Sequence, residues 1–289
     1  MMQLRPYQAQ AKDAVLSEWN KGYRKTLLVL PTGTGKTVVF SKVVENQVNQ
    51  GGRALILAHR GELLTQAADK LRAACGMDCA LEKAEFTSLG SPLRITVGSV
   101  QSLAQPKRLE RFPHDYFTDI VVDEAHHCLS DTYQRVLNYF SDADVLGVTA
   151  TPDRGDKRKL GQYFDSCAYE YSLRQAVKDG YLSSVKAQMI PLEMDLSKVS
   201  ITSGDYSVSD IGIVLEPFLQ QIADEIATNY ADRKTVVFLP LIATAQKMRD
   251  ILNRHGMRAA EVNGQSDDRA QVLADFDADR YNVLCNAML

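Results

Sequence analysis

The stretch "TLLVLPTGTGKTVVF" (residues 26–40) decides the fold, because an apolar run, a glycine-containing turn and an amphipathic segment follow one another within it. The run "TLLVL" lacks polar alternation, which predicts a strand buried on both faces of a sheet. The following "KTVVFSKVVENQVN" predicts a helix that Gly51 and Gly52 end. This strand–turn–helix order, with Gly-Lys-Thr at the turn, predicts a phosphate-binding loop.

The turn of this loop contains the groups that hold a nucleoside triphosphate. A helix N-terminus offers unpaired backbone N–H groups and a positive potential, and glycines let the backbone wrap closely around phosphate. Lys36 is predicted to reach the β- and γ-phosphates, and Thr37 to place its hydroxyl on Mg²⁺. The predicted nucleotide-binding residues of the loop are Thr32, Gly33, Thr34, Gly35, Lys36 and Thr37.

The loop departs from the general pattern G-x-x-x-x-G-K followed by Ser or Thr, because Leu30 occupies the first glycine position. That position enters the turn from the strand, and Pro31 can preset the entry through its fixed φ. The alternative interpretation is a glycine-rich strand–helix turn with a surface lysine. An acidic motif further along the chain favours the nucleotide site.

That acidic motif lies in "TDIVVDEAHHC" (residues 118–128), which puts Asp123 and Glu124 at the carboxyl end of an apolar strand. Ligands of open parallel sheets bind outside this edge. Asp123 is predicted to hold Mg²⁺, and Glu124 to polarise the water that attacks the γ-phosphate. Taken alone, such a pair is also common at a helix N-terminus, but together with the phosphate loop it predicts a catalytic site.

Composition limits which binding partners and which cellular compartment the sequence predicts. The chain has 289 residues, a net charge of −3 and a pI near 6.0, so any nucleic-acid binding must rest on a local groove. Neither the Cys75–Cys79 pair nor the run of His126, His127 and Cys128 has a matching second ligand cluster. Free thiols, no signal peptide and no bilayer-spanning apolar run predict a soluble cytoplasmic protein with no membrane partner.

The order of patterns along the chain predicts an α/β fold with two domains. Strand-like runs "RALILAH", "LRITVGSV", "DIVVDEA" and "DVLGVTA" alternate with helical stretches, which predicts a parallel sheet with helices on both faces. Residues 1–175 are predicted to form the nucleotide-binding domain. Residues 176–210, which include "SSVKAQMI" and a serine-rich stretch, are predicted to be an interdomain strand and linker. A second α/β pattern occupies 211–289.

These motifs together resemble those of superfamily 2 helicases and translocases. "PTGTGKT" (31–37), "DEAH" (123–126) and "TAT" (149–151) resemble motifs I, II and III, and the PTGTGKT form replaces the first glycine in many members. "LRPYQ" (4–8) resembles the adenine-reading motif, with Gln8 as the adenine contact and Arg5 as a helper. "LAHRGEL", "TVGSVQSL" and "TVVFLPLIATAQ" resemble motifs Ia, Ib and IV. The sequences of these motifs are similar to those of DEAD/DEAH-box proteins of the restriction-enzyme (ResIII-like) type and to those of phage helicases.

The resemblance implies two RecA-like domains, with ATP and Mg²⁺ in the cleft between them and a nucleic-acid strand across both. It implies that Arg60, Ser99 and Gln101 lie on the strand-facing edge of the first domain, although solvated loop residues are the alternative. It also implies that Thr149 and Thr151, with His126, couple the ATP state to domain position. Ordinary strand-end hydrogen bonding is the alternative for the two threonines.

The chain departs from the family after motif IV. The sequence reaches "VLCNAML" where motif V should begin, and none of its arginines lies in the Q-x-x-G-R context of motif VI. We therefore expect a partial second RecA-like domain that a missing C-terminal segment or a partner protein completes. Apolar surface should then be exposed near "VVFLP" and "NVLCN". Without the arginine fingers of motif VI, ATP turnover by this chain should be slow.

Two functions from different classes remain open. The leading one is the N-terminal motor portion of an ATP-dependent helicase or translocase. DNA is favoured over RNA as its substrate, because "LRPYQ" and "DEAHH" resemble the motifs of restriction-type enzymes. The alternative is an ATP-gated nucleic-acid-binding or regulatory module without motor activity, which the missing motifs V and VI favour. A small-molecule P-loop kinase is disfavoured, because it needs neither "DEAH" and "TAT" nor a second α/β domain.

Overall fold

The computed structural model describes residues 3–58, 61–150, 160–202 and 205–287. The chain forms two compact units, Met1–Val185 and Lys186–Leu289. The boundary between them falls inside the segment that the sequence predicts as interdomain strand and linker. No helix in the described part of the chain is long and apolar enough to cross a membrane.

The first unit is built on a seven-stranded parallel sheet. The strand order is β3-β4-β2-β5-β6-β1-β7, with the strands numbered along the chain. Their bounds are β1 Lys25–Val29, β2 Ala54–Ala58, β3 Ala80–Glu82, β4 Ile95–Ser99, β5 Asp119–Asp123, β6 Asp144–Thr149 and β7 Ser166–Glu170. The prediction of an α/β fold with a parallel sheet is confirmed.

Helices cover both faces of this sheet, as the sequence predicts. Their bounds are α1 Pro6–Asn20, α2 Lys36–Asn49, α3 Gly61–Cys75, α4 Val100–Leu103, α5 Pro106–Leu109, α6 Asp131–Tyr139 and α7 Leu173–Lys178. Helices α1 to α3 share one buried apolar cluster with the sheet, which includes Val15, Phe40 and Leu71. Helices α4 to α6 share the other, which includes Leu103 and Val136.

The register of the central strands brings distant parts of the sequence to one edge. Asp123 of β5 pairs with Val148 of β6, and Val148 pairs with Leu28 of β1. Because neighbouring strands lie about 4.8 Å apart, the carboxyl ends of β1 and β5 are about 10 Å from each other. The phosphate loop after β1 and the acidic motif after β5 therefore share one edge of the sheet.

The second unit contains a three-stranded parallel sheet in the order β10-β12-β11. Its strands are β8 Ile201–Thr202, β9 Asp205–Tyr206, β10 Thr235–Leu239, β11 Ala259–Val262 and β12 Val283–Ala287, of which β8 and β9 form a separate antiparallel pair. Its helices are α8 Val208–Leu215, α9 Leu219–Asn229, α10 Ile242–Arg254 and α11 Arg269–Asp277. Helices α9 and α10 cover one face of the sheet, and α11 covers part of the other.

The expectation of exposed apolar surface in this unit holds for one strand and is wrong for another. Val236 and Phe238 of "VVFLP" are 44% and 66% exposed on one face of β10. Val283, Leu284 and Cys285 of "NVLCN" are all buried. The reason is position, since β12 lies between β10 and β11 while β10 is an edge strand.

The strand predicted at "SSVKAQMI" (residues 183–190) is also wrong. Residues 183–195 form neither helix nor strand, and Val185 and Met189 are 76% and 93% exposed. An apolar alternation becomes a strand only where a neighbouring strand accepts its hydrogen bonds. The serine-rich stretch that follows, predicted as a loop, contains β8 and β9, and Ser207 then caps α8.

Candidate active site

The phosphate loop is closed by hydrogen bonds at its entry from β1. Leu30 is fully buried, and its backbone N–H donates to the carbonyl of Thr149 at the end of β6 (3.0 Å). The backbone N–H and the hydroxyl of Thr34 both donate to the carbonyl of Pro31, at 3.2 and 2.6 Å. The first position of the loop is thus a core position, which explains why leucine can replace glycine there.

The two inner glycines have the backbone conformation that their residue type favours. Gly33 and Gly35 have φ values of 86° and 82°, in the left-handed region. A Cβ atom on Gly35 would also lie 2.6 Å from Nε2 of Gln8. Helix α2 begins at the next residue, Lys36, so the unpaired N–H groups of its first turn follow the loop directly.

The start of α1 is fastened to this loop. The hydroxyl of Tyr7 and Nε2 of Gln8 both donate to the carbonyl of Thr34, at 2.6 and 2.9 Å. Oε1 of Gln8 accepts from the backbone N–H of Arg5 (2.9 Å). Tyr7 and Gln8 are both buried. Gln8 keeps one amide N–H and one lone pair beyond these contacts, and its contact with adenine stays a prediction.

Three residues near the loop were not predicted from the sequence. The guanidinium of Arg5 lies 5.1 Å from the ring centroid of Tyr181, and the ring of Tyr181 lies 4.8 Å from that of Tyr7. A Cβ atom on Gly33 would lie 3.1 Å from Cδ2 of Leu182. Of these three, only Tyr7 could have been found from the sequence, because it belongs to the motif "LRPYQ". Tyr181 and Leu182 lie in no motif, and the fold alone brings them to the loop.

The acidic motif lies within electrostatic reach of the phosphate loop. Burial raises the pKa of Asp123, the charge of Glu124 raises it further, and the ammonium of Lys36 lowers it. The backbone N–H of Glu124 donates to Oδ1 of Asp123 (3.1 Å). The structure therefore brings Lys36 and the acidic pair together at the carboxyl edge of the sheet, where they can act on one ligand.

Glu124 has an unusual backbone for a residue with a side chain. Its φ of 57° lies in the left-handed region, and it immediately precedes a 3-10 helix, Ala125–Leu129. Such conformations cost free energy and occur often at functional sites. The carboxylate is exposed, with Oε2 lying 3.8 Å from Nδ1 of His126. His126, predicted to take part in coupling, thus contacts the residue predicted to activate water.

The residues after this pair are involved in packing. The ring of His127 stacks on Tyr133 with centroids 5.6 Å apart, and it also contacts His126. Burial raises the pKa of the Cys128 thiol to about 12, so it is protonated at neutral pH. Among the described residues, no group of three or more His, Cys, Asp and Glu side chains could hold a metal ion.

The predicted Mg²⁺ ligands nevertheless have suitable chemistry. Mg²⁺ prefers oxygen ligands and is usually bound by one or two carboxylates, water and phosphate oxygens of a substrate. Thr37 in the first turn of α2 and Asp123 at the end of β5 provide a hydroxyl and a carboxylate at the same sheet edge. Phosphate oxygens and water would complete the coordination sphere of a bound Mg²⁺.

The remaining predicted residues lie along the same edge or outside the described residues. Thr149 is buried at the end of β6 and accepts the hydrogen bond from Leu30, while Thr151 lies outside the described residues. Ser99 ends β4, and its hydroxyl donates to Oε1 of Gln101 (3.0 Å). Arg60 lies outside the described residues. The nucleic-acid and coupling roles of these side chains stay predictions.

The fold and the site define a member of a known family. The chain belongs to the family described as type III restriction enzyme, res subunit, whose model matches residues 1–154, more than half of the chain. A protein named ATP-dependent helicase IRC3 from Saccharomyces cerevisiae is 28% identical, over 98% of this chain and 44% of its own length. The EcoAI endonuclease subunit, a type I restriction enzyme from Escherichia coli, is 28% identical, over 86% and 34%.

A phage protein is also matched over most of this chain but over only about half of its own length. The 51.5 kDa protein of a Lactococcus phage is 26% identical, over 90% of this chain and 54% of its own length. The chain thus spans about half the length of the first curated relatives that it matches.

Solved structures agree with the fold. A fragment assigned as an HsdR subunit of a type I restriction enzyme from Vibrio vulnificus has a TM-score of 0.70 at 24% identity, covering 98% of this chain and 54% of that one. The Hef helicase domain of Pyrococcus furiosus has a TM-score of 0.64 at 15% identity, covering 98% and 85%. These similarities establish a RecA-like α/β fold.

Proposed function

We propose that the chain is the motor portion of an ATP-dependent nucleic-acid helicase or translocase, which couples ATP hydrolysis to movement along a strand. The observation that carries this proposal is the meeting of Lys36 with Asp123 and Glu124 beside a loop of left-handed glycines. Membership of the restriction-enzyme family and the names of the relatives support it.

In this mechanism the loop and α2 hold the triphosphate. The N–H groups of the loop and the ammonium of Lys36 bind the β- and γ-phosphates. Bound Mg²⁺ offsets the negative charge of the phosphates, and Thr37 and Asp123 are the side chains that would hold it. Gln8 lies against the loop at Thr34, and we propose that Gln8, with Arg5 as a helper, contacts the adenine.

Glu124 is the residue proposed to orient and polarise the attacking water. Its backbone has a left-handed φ at the end of β5, its carboxylate is exposed, and Nδ1 of His126 lies 3.8 Å from Oε2. Positioning and charge neutralisation supply most of the catalysis of phosphoryl transfer. Thr149, whose carbonyl accepts from the backbone N–H of Leu30 at the loop entry, is proposed to couple the ATP state to domain position, together with Thr151 and His126.

The test of this assignment is Glu124→Gln in single-turnover experiments with the purified chain. We expect Mg-ATP affinity to stay within about twofold of the unaltered chain, while hydrolysis falls about 10²–10⁴-fold. Equal hydrolysis by Glu124→Gln and the unaltered chain would exclude Glu124 as the water-activating residue. A parallel loss of ATP affinity would show that the carboxylate has a structural role instead.

We further propose that residues 1–289 turn ATP over slowly. None of the arginines of the second unit lies in a Q-x-x-G-R stretch, and an arginine finger accelerates phosphoryl transfer by about 10³–10⁵. Nucleic-acid-stimulated ATPase activity of the purified chain tests this proposal. Turnover as fast as that of a complete helicase would contradict it.

DNA is the proposed substrate, in keeping with relatives named as restriction endonuclease subunits and as a DNA 3'-5' translocase. A competition between single-stranded DNA and RNA of the same sequence tests this preference. The alternative is an ATP-gated nucleic-acid-binding or regulatory module without motor activity. ATP-dependent displacement of a bound third strand from DNA would support the motor, whereas ATP-dependent binding without displacement would support the module.

A further inference from the structure

An ion pair between the fully buried Glu82 and the partly buried Arg108 supports the loop that follows β3. Oε1 of Glu82 accepts from Nε of Arg108 (2.5 Å), and the Glu82 side chain is completely buried. Its Oε2 accepts from the backbone N–H and hydroxyl of Ser88 and from the hydroxyl of Thr87, at 2.5 to 3.1 Å. Because a buried charge is stable only when it is fully paired, this network holds the loop in one geometry.

The same arginine fixes a tight turn that presents an aromatic ring to solvent. Nη1 of Arg108 donates to the carbonyl of Ala84 (2.6 Å), and its Nη2 donates to the carbonyl of Phe86. Lys83 and Phe86 close the turn with two backbone hydrogen bonds, at 3.1 and 2.6 Å. Phe86 is nevertheless 57% exposed, with the ammonium of Lys83 lying 5.9 Å from its ring centroid. More than half of the residue's surface therefore stays open to a ligand.

A basic cleft adjoins the turn. It has a volume of about 430 Å³ and is lined by Ala84, Ser102, Gln105, Lys107, Arg108 and Arg111. Lys107 and Arg111 are exposed, and neither forms an ion pair with a carboxylate of the described residues. Glu85, which follows Ala84, and Glu110, which precedes Arg111, are not among the residues that line the cleft. The cleft thus presents two available positive charges beside an exposed ring.

The cleft lies on the carboxyl edge of the sheet, at the end opposite to the phosphate loop. Glu82 pairs with Gly98 one residue before the end of β4, and the backbone N–H of Ala84 donates to the hydroxyl of Ser102 in α4 (3.2 Å). Four strand spacings separate β4 from β1, a distance of about 19 Å. ATP held by the phosphate loop would not reach the cleft. Of the predicted strand-contacting residues, in contrast, Ser99 is the N-cap residue of α4, and Gln101 precedes Ser102 within that helix.

We infer that this cleft and Phe86 form a binding site for single-stranded nucleic acid, with Lys107 and Arg111 contacting backbone phosphates and the Phe86 ring stacking on a base. The inference rests on the proposed function and extends its strand contacts to the outer end of the sheet. Cationic grooves with exposed aromatic rings bind single strands independently of sequence, as movement along any strand requires. With a net charge of −3 on the whole chain, these local charges are decisive for affinity.

The test separates the charge contribution from the stacking contribution. Binding of dye-labelled oligothymidylate to the full chain is measured by fluorescence anisotropy over a range of salt concentrations. Lys107→Ala with Arg111→Ala should weaken binding about tenfold and reduce the slope of log affinity against log salt by about 1.4, since each single-strand phosphate contact contributes about 0.7. Phe86→Ala should weaken binding about tenfold with the slope unchanged, and Phe86→Trp should restore it.

The matched control removes the same two residue types elsewhere in the unit. Arg174 and Lys178 are exposed on α7, next to β7 at the opposite end of the sheet. Arg174→Ala with Lys178→Ala makes the same change in net charge and should leave oligothymidylate affinity within about twofold. Unchanged Mg-ATP affinity in every variant shows that the unit remains folded.

Each outcome supports or overturns the inference. Loss of affinity in the cleft variants but not in the control supports it. Binding by the unaltered chain with equal affinities for cleft and control variants overturns it and leaves the proposed function intact. A failure of the unaltered chain to bind any nucleic acid overturns the inference and the proposed function together.

Discussion

The two parallel sheets of this protein differ in how completely helices cover them. The five central strands of the first unit are buried on both faces between α1–α3 and α4–α6. In the second unit, α9 and α10 cover one face, while α11 packs on β11 and β12 and leaves Val236 and Phe238 of β10 exposed. The candidate active site lies on the fully covered sheet, whose packing holds Lys36 and Asp123 in a fixed relation.

The two faces of β10 should respond in opposite ways to substitution. Leu239 is buried among α9 and α10, so Leu239→Ala should destabilise the second unit by about 3 kcal/mol. Phe238→Ser, on the exposed face, should leave stability within about 0.5 kcal/mol and raise solubility. Urea denaturation followed by circular dichroism, with solubility measured in parallel, checks both. Equal destabilisation by the two changes would mean that both faces of β10 are covered.

The first unit should instead be sensitive to any added volume between sheet and helices. A Cβ atom on Gly147 of β6 would lie 2.2 Å from Cζ of the buried Phe164, so Gly147→Ala should cost about 1–3 kcal/mol. Among the described residues outside its own helix backbone and chain neighbours, no atom lies within 4 Å of the Cβ position of Gly161, so Gly161→Ala is the matched control and should not destabilise. Thermal denaturation distinguishes them, and a neutral Gly147→Ala would show that this face is loosely packed.

Completeness of burial also explains which strands could be predicted from the sequence. The central strands β1, β2, β4, β5 and β6 appear as apolar runs because both of their faces are buried. The edge strands β3 and β7 are short or half-exposed, carry no such run, and were not recognised. The strand predicted at 183–190 failed for the converse reason, since its apolar residues have no strand to pair with.

The candidate site was predictable where its residues are contiguous in sequence. The phosphate loop and "DEAH" are short segments whose chemistry depends on local spacing, and the parallel sheet brings them to one edge. Tyr181 and Leu182 were not predictable, because only the fold places the segment after β7 against Arg5 and Gly33. The ion pair between Glu82 and Arg108 was not predictable either, because the two residues lie 26 positions apart in the sequence.

The smallest expected effect concerns the amino edge of the first sheet. Burial raises the pKa of Asp144 to about 6, and the charge of Asp119 adds to the rise. A raised carboxyl pKa means that this group stabilises the fold most when protonated, below its unfolded pKa near 3.9, and that this contribution is lost as pH rises through about 6. Asp144→Asn should therefore raise the melting temperature by about 1–2 °C at pH 7.5 and have no effect near pH 4.

The control for this prediction is Asp115→Asn, which changes an exposed carboxylate of the same unit. It should leave the melting temperature unchanged at both pH values. A melting temperature that Asp144→Asn leaves unaltered at pH 7.5 would show that water reaches the Asp144 carboxylate freely.

The central claim is that Lys36 and Asp123 act on one bound Mg-ATP. A double-mutant cycle with Lys36→Ala, Asp123→Asn and the combined variant tests it most directly, with the affinity for a non-hydrolysable ATP analogue in saturating Mg²⁺ measured by calorimetry. We expect Lys36→Ala to weaken binding at least about 100-fold, and the two changes to be non-additive by about 1 kcal/mol or more, since residues of one network couple. Strictly additive effects, or normal affinity in Lys36→Ala, would contradict a shared nucleotide site.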